Sequence, residues 1–278
     1  MKKRLFRNNF LVIILLTLFG IVMLSPFAFM VSLSLERYAN IQPPFPPRFI
    51  PEVPSLFNYK LVFENGKLFH AYLNSFITTS CSVLLNVSSA LLAGYAFSKG
   101  QFKGKKMLFY MVIATMMIPM QVRLIPMHKM FLKVGMLNTF LPIILPNILY
   151  GFGVMLCKQY FDNLPDSLGE SAAIDGAGKL KTFFKIYLPL TGPITATMVI
   201  LSFMDNWNAF LWPLVVLSDQ KLHTVPIFLS RFVAEDGGRF MGLTMALASA
   251  SILPILIVFL ALQRYIIESI ALSGLKGE

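Results

Sequence analysis

Few side chains in this sequence could do chemistry, and the densest group of them is short and polar. It comprises Ser167, Glu170, Ser171, Ala172, Ala173, Asp175, Gly176 and Ala177, followed at a distance by Ile186, Leu188 and Pro189. Ser167-Leu168-Gly169-Glu170 has the spacing of a capping box, a hydroxyl at the helix cap and a carboxylate at the third position. Glu170 to Asp175 then leaves room for about two helical turns before Gly176, a natural left-handed stop. A short helix offering small residues can enter a cleft on another protein, and the same residues would equally serve a self-contained surface element. Lys179 to Tyr187 reads as a second, amphipathic helix with Leu180, Phe183, Phe184 and Tyr187 on its apolar side. Pro189 is expected to end that helix and Pro193 to open the next element.

The other reactive side chains are scattered. His70, His128 and His223 lie far apart and show no metal-ligand spacing. Cys81 and Cys157 sit in or beside apolar runs and read as small packing residues rather than a redox pair. Asp205 is the only acid well within an apolar run, which is thin support for a carrier that couples to ions through intramembrane acids or histidines. No Gly-x-x-x-x-Gly-Lys-Ser/Thr phosphate loop occurs, so any ATP hydrolysis must come from another subunit.

What positions these residues is a series of apolar runs. Hydrophobic residues make up 56% of the chain and charged residues 13%, against about 25% charged in a soluble domain. A run of roughly 20 apolar residues crosses the hydrocarbon. Six candidates are present: Phe10 to Leu33, Ala71 to Phe97, Met107 to Ile125, Leu137 to Leu156, Gly192 to Trp212 and Met241 to Leu262. Each must be helical, because lipid offers no partner for an unpaired backbone amide. The expected fold is therefore all-α: a polytopic membrane protein with six transmembrane helices and a cytoplasmic helix in the polar loop. Its organisation reads as an N-terminal segment 1–9, a transmembrane domain 10–266 holding the loop 158–190, and a tail 267–278.

Lys2, Lys3, Arg4 and Arg7 precede a first run that is longer than a secretory core of roughly 7–15 residues, so it reads as an uncleaved span. The segment Lys99–Lys106 carries four lysines and no acid. With the basic N-terminus it places both termini and the long loop in the cytoplasm, although Arg123, Lys129 and Lys133 fall on the outer side. The net charge of +11 is then a signal of topology. Membrane lipid, and not nucleic acid, is the expected partner. Between the first two spans, Pro43, Pro44, Pro46, Pro47, Pro51 and Pro54 forbid a regular helix and predict an extended outer segment leading to a short helix near Asn58–Phe63. Pro26, Pro119, Pro142, Pro146 and Pro254 lie within spans, where proline permits bending.

The polar loop resembles the EAA loop of bacterial ABC importer permeases. Glu170, Ala172, Gly176, Ile186, Leu188 and Pro189 fall on its pattern, and Ser171 stands where an alanine is usual. Ile174-Asp175-Gly176-Ala177 resembles the carbohydrate-uptake branch. So do Asn206-Trp207-Asn208-Ala209-Phe210-Leu211-Trp212-Pro213, Ala93-Gly94-Tyr95-Ala96-Phe97, the Pro-rich approach to Asn58-Tyr59, and the ending Leu272 to Gly277. The likeness covers nearly the whole chain and points to the smaller, six-span permease of importers of the maltose type.

That resemblance implies a permease subunit of an ATP-driven importer for a sugar, an oligosaccharide by preference, in the bacterial inner membrane. It implies as partners a second homologous permease, a dimer of ABC ATPase subunits that uses ATP and Mg, and an extracellular or periplasmic sugar-binding protein. No cofactor, metal or catalytic residue is implied for this chain. The segment from about Ser167 to Ala177 becomes the coupling helix, with Glu170 as its anchor and Gly176 as its bend, and Lys179 to Tyr187 becomes the transmission into span five. A sugar path would replace water with aromatic faces, amides and hydroxyls. Asn86, Ser89, Asn206, Trp207 and Asn208 are the candidates, though aromatic residues at span ends also act as interfacial anchors. The outer loop Pro213 to Phe240, with its Glu235-Asp236-Gly237-Gly238-Arg239 turn, is the implied contact for the binding protein, and Ser273 to Gly277 an implied contact for the ATPase. Two alternatives stay open: an importer of a non-sugar solute such as glycerol-3-phosphate, and an ion-coupled carrier. The absence of Lys or Arg from mid-span positions leans towards a neutral solute.

Overall fold

The apolar runs become helices, and the prolines decide where those helices break. The computed structural model describes residues 2–64, 66–236 and 238–274. Gly237 of the outer-loop turn and Leu275–Glu278 of the expected tail lie outside them. Helices α1 (Lys2–Leu35), α2 (Phe57–Glu64) and α3 (Lys67–Lys99) are followed by α4 (Lys105–Met116), α5 (Met120–Lys133) and α6 (Leu141–Ile144). Next come α7 (Gly151–Asp162), α8 (Ser167–Ile174), α9 (Lys179–Thr182) and α10 (Gly192–Trp207). The chain closes with α11 (Leu211–Val216), α12 (Val225–Asp236) and α13 (Met241–Gly274). Among the described residues no strand forms; the one bridge is Glu36 with Pro54. Five helical stretches are long and apolar enough to cross a membrane, or six when α4 and α5 count as one broken span. The all-α polytopic expectation holds.

Three spans differ from the uninterrupted helices expected. The third, read as Met107 to Ile125, is bent by 100° between α4 and α5. Pro119 caps α5 with extended geometry (φ −58°, ψ 147°) and has no amide to continue the ladder. The fourth, read from Leu137, starts as α6 and a 3-10 turn at Leu145–Ile148, opens at Leu149 and becomes regular only at Gly151. The fifth does not end a preceding helix at Pro189. Instead Lys179–Trp207 runs as one helical stretch, widened to a π-helix at Phe183–Tyr187 and tightened to a 3-10 turn at Leu188–Thr191. A proline clashes with the carbonyl four residues before it, and local widening then tightening is how a helix passes that obstacle.

The chain divides into two compact units, Met1–Phe69 with Phe228–Leu253, and His70–Ile227 with Pro254–Glu278. In the first, the Pro-rich segment is clamped rather than loose. Fully buried Asn58 donates to the carbonyls of Ser34 (3.0 Å) and Glu36 (2.9 Å) and accepts from Asn40 Nδ2 (2.7 Å). The Glu36 carboxylate receives the amides of Glu52 (2.7 Å) and Val53 (3.3 Å). Leu243 N donates to Asn40 Oδ1 (3.0 Å), which pins α13 to the same knot.

The second unit is packed around small residues. A Cβ on Gly94 would lie 2.5 Å from Cys157 Cβ, so α3 and α7 cross with their backbones in contact. Cys157 is buried there as a packing residue, as expected, whereas Cys81 is exposed; neither is in a disulfide. A separate core holds Phe131, Ile143, Trp212 and Val216, with Trp212 Nε1 donating to the Pro142 carbonyl (2.8 Å). That bond occupies a carbonyl in the irregular start of the fourth span.

Candidate coupling site

Helix α8 is built from its two ends. The capping box expected at Ser167 does not form: Ser167 is the first helical residue, Asp166 occupies the cap, and no side chain caps the amides. The Asp166 carboxylate is engaged elsewhere. Lys99 Nζ donates to Asp166 Oδ1 (2.6 Å) and to the Leu164 carbonyl (2.6 Å), which ties the start of α8 to the end of α3. At the other end Gly176 takes φ 75°. Its amide bonds to Ala173 O (3.1 Å), and that of Ala177 bonds to Ala172 O (2.9 Å). This is a complete Schellman closure, which needs the left-handed glycine that the sequence supplies.

The faces of α8 divide cleanly. Ala172 is buried and Leu168 packs against the core of α3 and α7. Glu170, Ser171, Ala173, Asp175 and Gly176 are exposed, and Ile174 is 86% exposed. Glu170 makes no ion pair among the described residues. The outward face is therefore a small-residue ridge with one aliphatic side chain, Ile174, near its end and carboxylates at Glu170 and Asp175.

Inward, α8 rests on an aromatic cluster. A Cβ on Gly169 would stand 3.1 Å from the hydroxyl of Tyr187, itself buried. Tyr95 lies 5.2 Å from Tyr187, 5.1 Å from Phe183 and 5.7 Å from Phe161, ring to ring. One cluster thus joins α3, α7 and the π-helical segment beneath α8. The apolar side expected for the second helix is split: Phe183 and Tyr187 point in, while Leu180 and Phe184 are 69% and 55% exposed. Ile186 is half-buried, Leu188 packs on the same core and Pro189 is exposed. Tyr160 Oη donates to the Leu190 carbonyl (2.6 Å) and Thr191 Oγ1 to that of Leu188 (2.7 Å), supporting the irregular turn. In the sequence Lys99 reads only as a topology charge, Tyr95 only as part of the family likeness and Gly169 only as part of a capping box, and nothing local joins them, or Phe161 and Asp166, to this cluster.

The pathway candidates are only partly brought together. Buried Asn86 donates to Ser202 Oγ (2.6 Å), and Asn206 Nδ2 donates to Ser202 O (2.8 Å). Ser89 Oγ donates to the Asn86 carbonyl (3.2 Å). Asn86 and Asn206 therefore meet through Ser202, a residue the sequence reading passed over, whereas Ser89 bonds only within its own helix. Trp207 is buried and stacked on Phe203 at 5.4 Å, and Asn208 is exposed, donating to its own helix at Met204. Nearby, Tyr150 Oη donates to Asp205 Oδ2 (3.4 Å) and Asn147 to Ser82 Oγ (3.1 Å). Among the described residues no group of His, Cys, Asp or Glu could hold a metal ion.

Residues 86–271 match the family model of the binding-protein-dependent transport system inner membrane component. The chain belongs to this family. The match takes in α8, the aromatic cluster and the polar residues around Ser202. The chain is similar to the arabinooligosaccharides transport system permease protein AraQ of Halalkalibacterium halodurans, 35% identical over 230 residues, 82% of each chain. It is similar over almost its whole length to the trehalose/maltose transport system permease protein MalG of Thermococcus litoralis, 34% identical over 277 residues and covering 98% of each. A solved bacterial ABC transporter involved in the import of the acidic polysaccharide alginate contains a chain of the same fold, with TM-score 0.83 and 23% identity, covering 96% of this chain and 98% of that one. As an inner-membrane component of such a system, the chain is a permease subunit and not an enzyme, and its transport depends on an ATPase and a substrate-binding protein.

Proposed function

We propose that the chain is one of two homologous permease subunits in an importer of a sugar, by preference an oligosaccharide, and that α8 is its coupling helix. The observation that carries the coupling half is the division of α8: an inward face seated on Tyr187 and an outward ridge from Glu170 to Gly176 with Ile174 86% exposed. A groove on each cytoplasmic ATPase subunit would receive that ridge, and closure of the ATPase dimer around ATP and Mg would move it as a rigid body. Both termini and α8 then face the cytoplasm, in line with the lysines between Lys99 and Lys106. The sugar half is supported by AraQ and MalG, whose names specify arabinooligosaccharides and trehalose/maltose. The amides and hydroxyls around Ser202 suit a neutral polyhydroxylated solute.

The test is uptake by the assembled transporter. Glu170→Ala and Gly176→Pro abolish ATP-driven uptake while the chain still inserts in the membrane; full uptake by both variants overturns the coupling role. The solute is read from binding of the cognate solute-binding protein to a panel of saccharides and glycerol-3-phosphate. Binding of glycerol-3-phosphate alone overturns the sugar assignment. Uptake by this chain alone, driven by an ion gradient, overturns the ATP-driven mechanism.

A further inference from the structure

Where α3 ends and α4 begins, a cavity of about 380 Å³ opens, which falls among small-molecule sites of roughly 300–1,000 Å³. Lys105, Lys106 and Lys158 converge on it from two helices, with Phe97 and Phe109 as an apolar wall. A topological excess of positive charge asks only that lysines lie in the loop. It does not ask that they share a pocket.

The ammonium groups there keep donors to spare. An ammonium has three donors. Lys105 uses two, on the carbonyls of Ser98 (2.8 Å) and Gly100 (2.9 Å). Lys158 uses one, on Asp162 Oδ2 (2.6 Å), and its charge is held over the Phe109 ring at 5.4 Å. Lys106 makes no hydrogen bond or ion pair among the described residues and is exposed. The one acid in the cavity, Asp162, is occupied on both oxygens, since Ser98 Oγ donates to Oδ1 (2.7 Å). The site is thus pre-arranged cations with an unfilled demand for acceptors.

Its surroundings select an amphiphile over a soluble anion. Helix α4 leaves the cavity with none of its residues buried. Met107 and Tyr110 are each 67% exposed and Met111 is 47% exposed, three residues on one helical face directly past the lysines. Basic pockets at the membrane face of transmembrane helices bind acidic headgroups. We propose that this cavity holds the headgroup of an anionic phospholipid, with its acyl chains along the exposed face of α4. The site is independent of which solute is transported.

Native mass spectrometry of the full chain in a neutral detergent tests this, with phosphatidylglycerol, phosphatidylcholine of the same chains, or water-soluble glycerophosphoglycerol added. Phosphatidylglycerol is retained and phosphatidylcholine is not. The Lys106→Gln/Lys158→Gln variant binds phosphatidylglycerol about thirtyfold more weakly and Lys106→Gln alone about fivefold, the loss expected of lysines beside an acidic headgroup. Lys133→Gln, an exposed basic position on α5, changes nothing. Lys106→Gln breaks no bond among the described residues, so it keeps the test decisive if the double variant fails to fold. Equal retention of both lipids, or unchanged binding by Lys106→Gln, overturns the proposal. Displacement of the lipid by equimolar glycerophosphoglycerol also overturns it, since the cavity would then be a site for soluble anions.

Discussion

At the scale of single residues, Gly169 sets the distance between the outward ridge and the membrane core. With 3.1 Å between its would-be Cβ and the Tyr187 hydroxyl, an alanine asks for a shift of a few tenths of an ångström, and a valine asks for more than the buried ring can give. Gly169→Val should cost about 1–3 kcal/mol of stability through overpacking and lower uptake, whereas Gly169→Ala keeps both near wild type; thermal melting and transport assays read the two effects. Gly169 illustrates what was and was not legible beforehand. Glu170 and Gly176 follow local rules of spacing and backbone conformation, so the helix and its stop were readable. The start was misread by one residue because Lys99, 67 residues away from Asp166, removes the carboxylate from any part in local capping. Ser202 was missed for a similar reason: a serine inside an apolar run carries no local mark, and only the approach of Asn86 gives it a role.

At the scale of elements, the apolar runs fixed how many spans to expect and left their interiors open. Proline content announced that bends were possible, but only neighbouring groups decide whether a helix breaks, as at Pro119, or deforms and continues, as at Pro189. Near Pro189 the hydroxyls of Tyr160 and Thr191 take up the carbonyls of Leu190 and Leu188, so the helix passes through. Pro189→Ala removes the cause of the π-helical and 3-10 segments. Reversion to a regular helix would turn Phe183 and Tyr187 relative to α10, so the variant should fold with unchanged or slightly raised stability yet uncouple ATP hydrolysis from uptake. Parallel measurement of ATPase rate and transport checks it. Equal coupling in the variant would show the distortion to be without mechanical purpose.

At the scale of the whole molecule, most of what holds the chain together is helix packing that lipid does not drive, so polar knots and close glycine contacts matter more than apolar area. The knot around Asn58 is the clearest case. Asn58→Ala leaves the Ser34 and Glu36 carbonyls and the Asn40 amide without their partner, at about 1–3 kcal/mol for each group left buried. The melting temperature of the variant should fall markedly, while Asn208→Ala, an exposed position, leaves it unchanged.

The exposure of Ile174 has a consequence for the life of the protein before assembly. If α8 docks on the ATPase as proposed, a newly inserted copy that has not met its ATPase displays an uncovered aliphatic side chain on a small-residue helix, a feature open to quality-control proteases and holding chaperones. Subunit supply is then balanced by destruction of the surplus: made without its ATPase, the chain should turn over faster than in the complex, and Ile174→Ser should lengthen the half-life of the orphan in a pulse-chase experiment. On the coupling role proposed for α8, one exposed side chain would thereby report to the cell whether the ATPase has arrived.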